Sequence, residues 1–305
     1  MGFFQSTMIG LSIFGADSCN GVFSNNEVHI GMEHEFKHVK LMTFPADTIA
    51  KHKIEARRVG EKDYSKGISS FQHTASAIDV GMNGVPVLDQ GEDGTCVTFA
   101  STAALDALTG IDISQQCSLS LDLYMGNSYW DGAFYPSEII DPLKKYGVVE
   151  RYACPYMYPD PSQTIDPMQY VQFAHPEASE VVRSMQYSYY KSPNLDVVKS
   201  SLRGGHRVLM AFYLDSTHQQ AVQGFDVTIN GFKKMGGLYA CKQQRSPDYC
   251  VQSNAGHEVL IIGFDDQQEL LKIRNSWGPY FGDGGNYYMT YTFFKQMGVD
   301  LTVVY

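Results

Sequence analysis

The hydrophobic positions of this 305-residue chain follow different periods in different segments. Val97 to Leu108 is an apolar stretch with the length of about three helical turns. Much later, Val259 to Phe264 and Leu271 to Ile273 are short continuous apolar runs, separated by the polar turn Asp265 to Glu269. This second pattern predicts two buried strands joined as an antiparallel hairpin. The chain is therefore expected to combine helices with strands.

The N-terminal region has a pattern of its own. Apolar and polar residues alternate over 28–37, which predicts a strand, and a second short strand over 39–44 would pair with it as a hairpin. A capped helix is predicted next, at about 47–59. Residues 25–74 are therefore expected to form a hairpin and a helix that precede the main domain at 75–305.

The first 24 residues resemble a targeting segment only in part. Met8 to Phe14 is mildly apolar, and small residues suited to a signal peptidase follow it. However, no Lys or Arg precedes the apolar run, and Gly10 and Ser12 interrupt it. Residues 1–24 are a candidate signal peptide; the alternative is an ordered N-terminal strand of the folded protein.

A cysteine stands at the start of the predicted helix that begins near Val97. The unpaired N–H groups and the positive dipole end of a helix favour a thiolate, so Cys96 is a candidate nucleophile. Gln90 lies six residues upstream and carries a side-chain amide that can donate to an oxyanion. One short segment thus offers a nucleophile and half of an oxyanion hole.

The partners of such a nucleophile occur far downstream. His257 and Asn275 flank the two predicted strands, at the ends that antiparallel pairing brings together. The imidazole can take the thiol proton, and the Asn275 amide oxygen can hold the ring in the required tautomer. The order along the chain is Cys, His, Asn.

With these residues in place, the chain resembles the papain-like cysteine proteases from about Ala77 to Tyr291. The family writes Gln-Gly-x-Cys-Gly-Ser-Cys-Trp-Ala-Phe around its nucleophile, and residues 90–99 here are QGEDGTCVTF. The family's Asn-Ser-Trp-Gly-x-x-Trp-Gly-x-x-Gly is matched by residues 275–285, NSWGPYFGDGG. Segments 78–80 and 85–87 resemble the start of a mature enzyme of this family.

The resemblance implies an α+β fold of two domains with a cleft between them. A helical domain would carry Cys96, and a β-barrel-like domain would carry His257 and Asn275, with Trp277 covering their hydrogen bond. It also implies polypeptide substrates and a monomeric enzyme without a metal or organic cofactor. Residues 25–74 resemble a propeptide in position, and we expect them to lie over the cleft and keep the enzyme latent; the alternative is a permanent extra subdomain. The helices would include 119–124 and 138–146, and the strands 208–213, 237–240, 258–264, 270–274 and 287–291.

Several positions depart from the family pattern. Asp93 replaces a family cysteine, and the partner of that cysteine is also absent. Asn127 and Ser128 replace two glycines that in the family let a substrate backbone approach the cleft wall, so substrate preference cannot be inherited. Val97 replaces a tryptophan, and Glu258 follows the histidine where the family has a small residue. None of these changes removes a catalytic group.

The six cysteines bear on the compartment. Setting aside Cys96 and the N-terminal Cys19 leaves four, which we expect to pair as Cys117 with Cys154 and Cys241 with Cys250, although four cysteines allow three connectivities. These pairs, with the candidate signal peptide, predict a secreted or otherwise extracytoplasmic protein. The alternative is a cytosolic protein with reduced core thiols.

Other classes of function are less well supported. A net charge of −10 argues against a nucleic-acid surface, and no apolar run is long enough to cross a membrane. Residues 34–38, HEFKH, match a zinc-protease motif, but on a strand the two histidines would be about 13 Å apart, too far for one zinc ion. Two alternatives remain: a papain-shaped binding protein without turnover, and an acyltransferase, amidase or deamidase with the same thiol chemistry.

Overall fold

The computed structural model describes the protein at residues 27–32, 35–40, 42–43, 76–126, 133–154, 164–215, 226–229, 232–235, 237–241, 250 and 252–305. The candidate signal peptide, the predicted helix at 47–59, Cys19 and the substituted glycine positions 127–128 lie outside these residues. Among the described residues, no helix is long and apolar enough to cross a membrane.

Four short strands lie N-terminal to the first described helix: β1 Glu27–Met32, β2 Glu35–Lys40, β3 Met42–Thr43 and β4 Ala77–Asp79. Five helices follow, then a strand and a further helix: α1 Cys96–Thr109, α2 Gln115–Tyr124, α3 Pro136–Tyr146, α4 Pro167–Tyr170, α5 Pro176–Ser184, β5 Tyr187–Tyr190 and α6 Leu195–Arg203. The C-terminal part is β6 Arg207–Asp215, β7 Asp226–Ile229, β8 Phe232–Met235, β9 Leu238–Tyr239, β10 Gln252–Asp265, β11 Leu270–Arg274, β12 Asn286–Thr290, α7 Tyr291–Met297 and β13 Gly298–Val304. This helix-then-strand order confirms the predicted α+β class.

The helix α1 is the centre of the helical half. Its side chains are buried from Cys96 to Ala107, because α3 and α5 pack on it from one side and β10 from the other. The helix ends at Gly110, which has a left-handed backbone with φ of 76° and donates its N–H to the Asp106 carbonyl at 2.7 Å. Burial on all sides fixes the position of the first residue of the helix.

The large sheet has the strand order β5-β13-β6-β10-β11-β12-β9, with β3 and β4 also paired to β10. Successive side chains of β10 point to opposite faces. Val259 and Ile261 enter a core shared with Phe212 and Trp277, whereas Leu260 and Ile262 enter the core that contains α1. One strand therefore joins both halves of the molecule.

The N-terminal strands differ from the sequence prediction. Residues 28–37 were expected to form one strand, but β1 ends at Met32 and β2 begins at Glu35, with Met32 paired to Glu35. Two residues separate β1 from β2, an even number, so apolar and polar positions go on alternating across the gap. The alternation therefore cannot show where one strand ends and the next begins. The second predicted strand, at 39–44, is divided: Val39 and Lys40 belong to β2 and pair with β1 as the hairpin prediction requires, whereas β3 pairs with β10, where Met42 lies opposite Gly256.

Two disulfides join the cysteine pairs expected from the sequence. Cys117 on α2 is bonded to Cys154, and Cys241 is bonded to Cys250. Within the described residues Cys96 is the free cysteine, and it is buried. The structure thus leaves the candidate nucleophile as a thiol and ties α2 to the loop after α3.

The two disulfides should differ in their contribution to stability because they close loops of different length. The bonded residues are 37 positions apart in one case and 9 in the other. Loop-closure entropy predicts that Cys117→Ser with Cys154→Ser lowers the free energy of unfolding by about 4 kcal/mol, and Cys241→Ser with Cys250→Ser by about 3 kcal/mol. Denaturant unfolding without reductant measures both, and a larger loss in the second pair would contradict the loop-length account.

Candidate active site

Cys96 is the first residue of α1, at the end of the helix where backbone N–H groups lack intrahelical partners. Its side chain is completely buried. The backbone N–H groups of Glu258, Val97 and Met42 donate hydrogen bonds to its sulfur. Three elements therefore meet at this thiol: the start of α1, the strand β10 and the N-terminal strand β3.

His257 and Asn275 come together as the hairpin pattern predicted. The strands β10 and β11 are antiparallel, and His257 Nε2 lies 2.8 Å from Asn275 Oδ1. The backbone N–H of Ser276 donates to the same Oδ1 at 2.8 Å, which identifies that atom as the amide oxygen. The Nε2 atom therefore carries the ring proton and donates it. The other nitrogen, Nδ1, has no hydrogen-bond partner among the described residues and is available to accept a proton.

Trp277 packs directly on this pair. Its ring stacks on the His257 ring, with centroids 4.7 Å apart and planes inclined by 21°. Phe212 contacts the same imidazole edge-on at 5.8 Å. Both aromatic residues are fully buried, so the hydrogen bond between His257 and Asn275 lies in a medium of low dielectric.

Gln90 is held by the same segment that carries Asn275. Its backbone N–H donates to the Ser276 carbonyl at 2.9 Å, and its Oε1 accepts from the Ser276 hydroxyl at 2.6 Å. Its Nε2 donates to the Asp93 carbonyl at 2.7 Å, just before α1. These bonds fix which end of the amide is the donor and keep that donor on the α1 side.

Ser276 is a site residue to which the sequence analysis gave no role. It contacts Asn275 through its backbone N–H and Gln90 through its hydroxyl, so one residue orients both side-chain amides. Its place between Asn275 and Trp277 in the NSWG segment could have drawn attention to it. The contact with Gln90 joins residues far apart in sequence, and local patterns do not contain it.

Burial keeps the Cys96 thiol and the His257 imidazole neutral in this conformation. Burial is the largest cause, and together with the nearby Glu258 charge it raises the pKa of Cys96 to about 12, although the backbone N–H groups at the sulfur favour the thiolate. Burial also lowers the pKa of His257 to about 4, although the Asn275 hydrogen bond favours the protonated ring. In this conformation burial therefore favours the neutral thiol of Cys96 and the neutral imidazole of His257 over their charged forms.

The N-terminal segment causes part of this burial. Met42 is fully buried and belongs to the same hydrophobic cluster as Cys96 and Leu209. Its strand β3 pairs with Gly256 and Ala255, immediately before His257. The Cys96 thiol is thus covered by a residue that precedes β4 and α1 in the chain.

The described part of the zinc-protease motif, residues 35–38, is a strand and not a helix. Glu35 and His38 belong to the strand β2, and His34 lies outside the described residues. Within the residues that the structure describes, no group of three or more metal-ligating side chains comes together.

The burial of His257 should make the covered protein less stable in mild acid. The free imidazole has a pKa of about 6.5, so between pH 6.5 and 4 the unfolded chain binds a proton that the folded chain excludes. The stabilisation is complete above pH 6.5 and is lost as the pH falls toward 4, by as much as about 3 kcal/mol. Denaturant unfolding of two variants, Cys96→Ala and Cys96→Ala with His257→Gln, measures this loss of stability as a function of pH. The difference between the two pH profiles isolates His257, because the other titrating groups contribute equally to both variants. Parallel pH profiles would contradict this account.

Comparison with known proteins agrees with this geometry. The family model for papain family cysteine protease matches residues 74–305. Mouse pro-cathepsin H is 24% identical over 284 residues, which cover 87% of this chain and 77% of that protein.

Two solved structures show the same fold. Procathepsin L2 proteinase from the larval midgut of Tenebrio molitor has a TM-score of 0.57 at 17% identity, over 85% of this chain and 76% of that one. Xylellain, a cysteine protease from Xylella fastidiosa, has a TM-score of 0.54 at 21% identity, over 75% of this chain and 85% of that one. From its family match and its fold, this chain belongs to the papain family of cysteine proteases.

Proposed function

We propose that this chain is a latent cysteine protease that hydrolyses peptide bonds with Cys96 as nucleophile, His257 as base and acid, Asn275 as the residue that orients the imidazole, and Gln90 as an oxyanion donor. The observation that carries this proposal is the bond between His257 Nε2 and Asn275 Oδ1 at 2.8 Å. Since Ser276 fixes the amide oxygen, the ring presents its Nδ1 lone pair for the thiol proton.

The proposed reaction is acyl transfer through a thioester. His257 Nδ1 takes the Cys96 proton, and the thiolate attacks the peptide carbonyl carbon. The oxyanion accepts hydrogen bonds from the Cys96 backbone N–H and from Gln90 Nε2, each worth about 2.7–4 kcal/mol at comparable sites. The imidazolium then protonates the leaving amine, and water hydrolyses the thioester. Trp277 shields the His257–Asn275 bond throughout.

Latency follows in this proposal from the position of β3. Met42 lies against Cys96 and donates a backbone N–H to its sulfur, while β3 takes the edge of β10 beside His257. A substrate needs the same space, so the N-terminal segment at 25–74 has to leave before turnover. We expect cleavage between about 57 and 76. Two of the similar proteins bear names of precursor forms, which supports a zymogen.

We also propose an extracytoplasmic location. The described residues contain two disulfides, and such bonds persist in oxidising compartments. The candidate signal peptide at 1–24 supplies the second argument. Intact-mass analysis of the protein secreted from a eukaryotic host tests this location.

Removal of the N-terminal segment should convert an inert thiol into a reactive one. In the covered form the pKa of Cys96 is raised to about 12, so at neutral pH an irreversible epoxide probe for cysteine proteases should label it slowly. Limited proteolysis that removes the first seventy or so residues should increase the labelling rate at Cys96 by at least about tenfold, because water and substrate reach the site. Peptide mass spectrometry measures the rate.

Cys96→Ala is the control for specificity, and it should show no labelling before or after trimming. His257→Gln should trim normally and label slowly in both forms. The proposal fails if the trimmed protein with an accessible cleft neither labels at Cys96 nor cleaves a mixed peptide pool, and a binding role would then be favoured.

Ser276→Ala should lower kcat with little change in KM. The variant removes the hydroxyl that fixes Gln90 Oε1 but keeps the backbone N–H that holds Asn275, so the oxyanion donor loses its orientation while the imidazole keeps its own. We expect a fall in kcat of about tenfold, less than the loss of a whole oxyanion donor. Ser179→Ala is the matched control, since its buried hydroxyl accepts the Val148 N–H at 3.0 Å in the helical half. An equal loss of kcat in both variants would contradict a positioning role.

A further inference from the structure

Tyr239 is a buried tyrosine on the short strand β9, and its hydroxyl lies beside the Asn275 side chain. The hydroxyl oxygen has no hydrogen bond of ordinary geometry with a described residue, although only 1% of Tyr239 is exposed. The side-chain nitrogen of Asn275, Nδ2, is likewise buried without such a bond. Because a buried polar group without a partner costs free energy, two such groups side by side indicate a role that folding alone does not supply.

The sheet brings Tyr239 to this place. Tyr239 lies opposite Met289 of β12. Two residues earlier on β12, Tyr287 lies opposite Ile273 of β11, and Asn275 follows two residues later. Residues directly opposite one another in adjacent strands point to the same face, and the four strand side chains enter one core. The register therefore places Tyr239 on the same face as the residues that lead into Asn275.

Aromatic contacts hold the Tyr239 ring. It packs against Phe212 with centroids 5.0 Å apart, against Phe293 at 5.7 Å and against Tyr287 at 5.8 Å. Phe212 also contacts the His257 imidazole. A ring packed against three others in a close-packed core has little freedom to move. The hydroxyl of Tyr239 therefore keeps a fixed position at the site.

The ring of Tyr287 is itself held by two glycines. A Cβ atom at Gly237 would lie 2.6 Å from Cγ of Tyr287, and one at Gly282 would lie 2.6 Å from Cδ1 and Cε1 of the same ring. Both glycines have left-handed backbones, with φ of 76° and 64°. Backbone this close leaves the ring no room to shift toward it. Tyr287 thus supports Tyr239, and also Trp277, whose ring it contacts edge-on at 5.5 Å.

The Asn275 amide has the orientation in which its nitrogen serves Tyr239. Its Oδ1 accepts the His257 proton, so Nδ2 is the atom left to donate to the hydroxyl. Burial is the largest influence on Tyr239 and raises its pKa well above the ordinary value, as do the nearby Tyr287 and Cys96, whereas the Asn275 donor lowers it. The phenol therefore stays neutral, and its oxygen can accept a hydrogen bond without carrying a charge.

We propose that Tyr239 is a positioning residue for His257 and acts through Asn275. In this arrangement the Tyr239 hydroxyl oxygen accepts a hydrogen bond from Asn275 Nδ2, while Asn275 Oδ1 accepts one from His257 Nε2 at 2.8 Å. Hydrogen bonds in a chain polarise one another, so the bond at Nδ2 makes Oδ1 a stronger acceptor and favours the protonated imidazole. The proposal rests on the proposed protease function.

The bond between Tyr239 and Asn275 lacks ordinary geometry while Cys96 is covered. In that conformation burial keeps the His257 ring neutral, and a neutral ring polarises the amide only weakly. Hydrogen bonds at active sites are often long or poorly aligned before the substrate binds, and they tighten in the reacting complex. We expect this bond to close when activation allows His257 to become charged.

The first test compares Tyr239→Phe with the unaltered protein, each made as the full chain and activated by limited proteolysis. The change removes the hydroxyl and keeps the ring with its aromatic contacts. The kcat for a peptide substrate should fall about three- to tenfold, as for one hydrogen bond, while KM stays the same. The alkaline limb of the pH profile of kcat/KM should move about half a pH unit lower, because the imidazolium loses part of its stabilisation.

Tyr170→Phe is the matched control. The Tyr170 hydroxyl is also completely buried, and it donates to the Gly147 carbonyl at 3.2 Å in the helical half. This variant should be less stable to denaturant but should keep the kcat and the alkaline limb of the unaltered protein. Equal losses of kcat in the two variants, or an alkaline limb that does not move in Tyr239→Phe, overturn the positioning role.

The second test asks whether the hydroxyl acts through Asn275. The epoxide labelling rate of Cys96 is measured for Tyr239→Phe, for Asn275→Ala and for the double variant, after thermal unfolding has confirmed that each is folded. Tyr239→Phe should slow labelling when Asn275 is present and should have no further effect in Asn275→Ala, because the chain of hydrogen bonds is already broken.

The same fold loss in both backgrounds overturns the proposal and leaves the protease function intact. Absence of turnover and of Cys96 labelling in the unaltered activated protein overturns the proposed function itself.

Discussion

The alternation of side chains along β10 is the constraint on which the site depends. The strand is paired on both sides, with β6 and with β11, so a shift of one residue would exchange every side chain between the two faces. This register places His257 toward Phe212 and Trp277, and Glu258 toward the core that contains α1. The side chains of His257 and Glu258 are therefore directed to opposite faces by the geometry of one strand.

The second constraint is the short segment from Asn275 to Trp277. Asn275 holds the imidazole, Trp277 stacks on it, and Ser276 between them binds Gln90 through both its carbonyl and its hydroxyl. The side chains of His257 and Gln90 are consequently oriented by three consecutive residues. Because these residues also join the loop before α1 to the sheet, the two halves of the site cannot move apart without breaking this segment's hydrogen bonds.

Burial has opposite consequences for folding and for reactivity. The same apolar surroundings that strengthen the bond between His257 and Asn275 raise the pKa of Cys96 and lower that of His257, which disfavours the ion pair. In the proposed zymogen, β3 completes this burial through Met42. Its departure would admit water and substrate, so latency and activation involve the dielectric of the site as well as access to it.

The sequence by itself indicated the α+β class, the cysteine at a helix start, and the histidine and asparagine brought together by a hairpin, because each depends on local periodicity or on short motifs. The sequence did not locate the boundary between β1 and β2, because the two residues between these strands leave the alternation of apolar and polar positions unbroken. Only the tertiary structure paired β3 with β10 and assigned Ser276 its two contacts. Those contacts join residues distant in the chain, and their energies come from packing and strand register, which local sequence patterns do not contain.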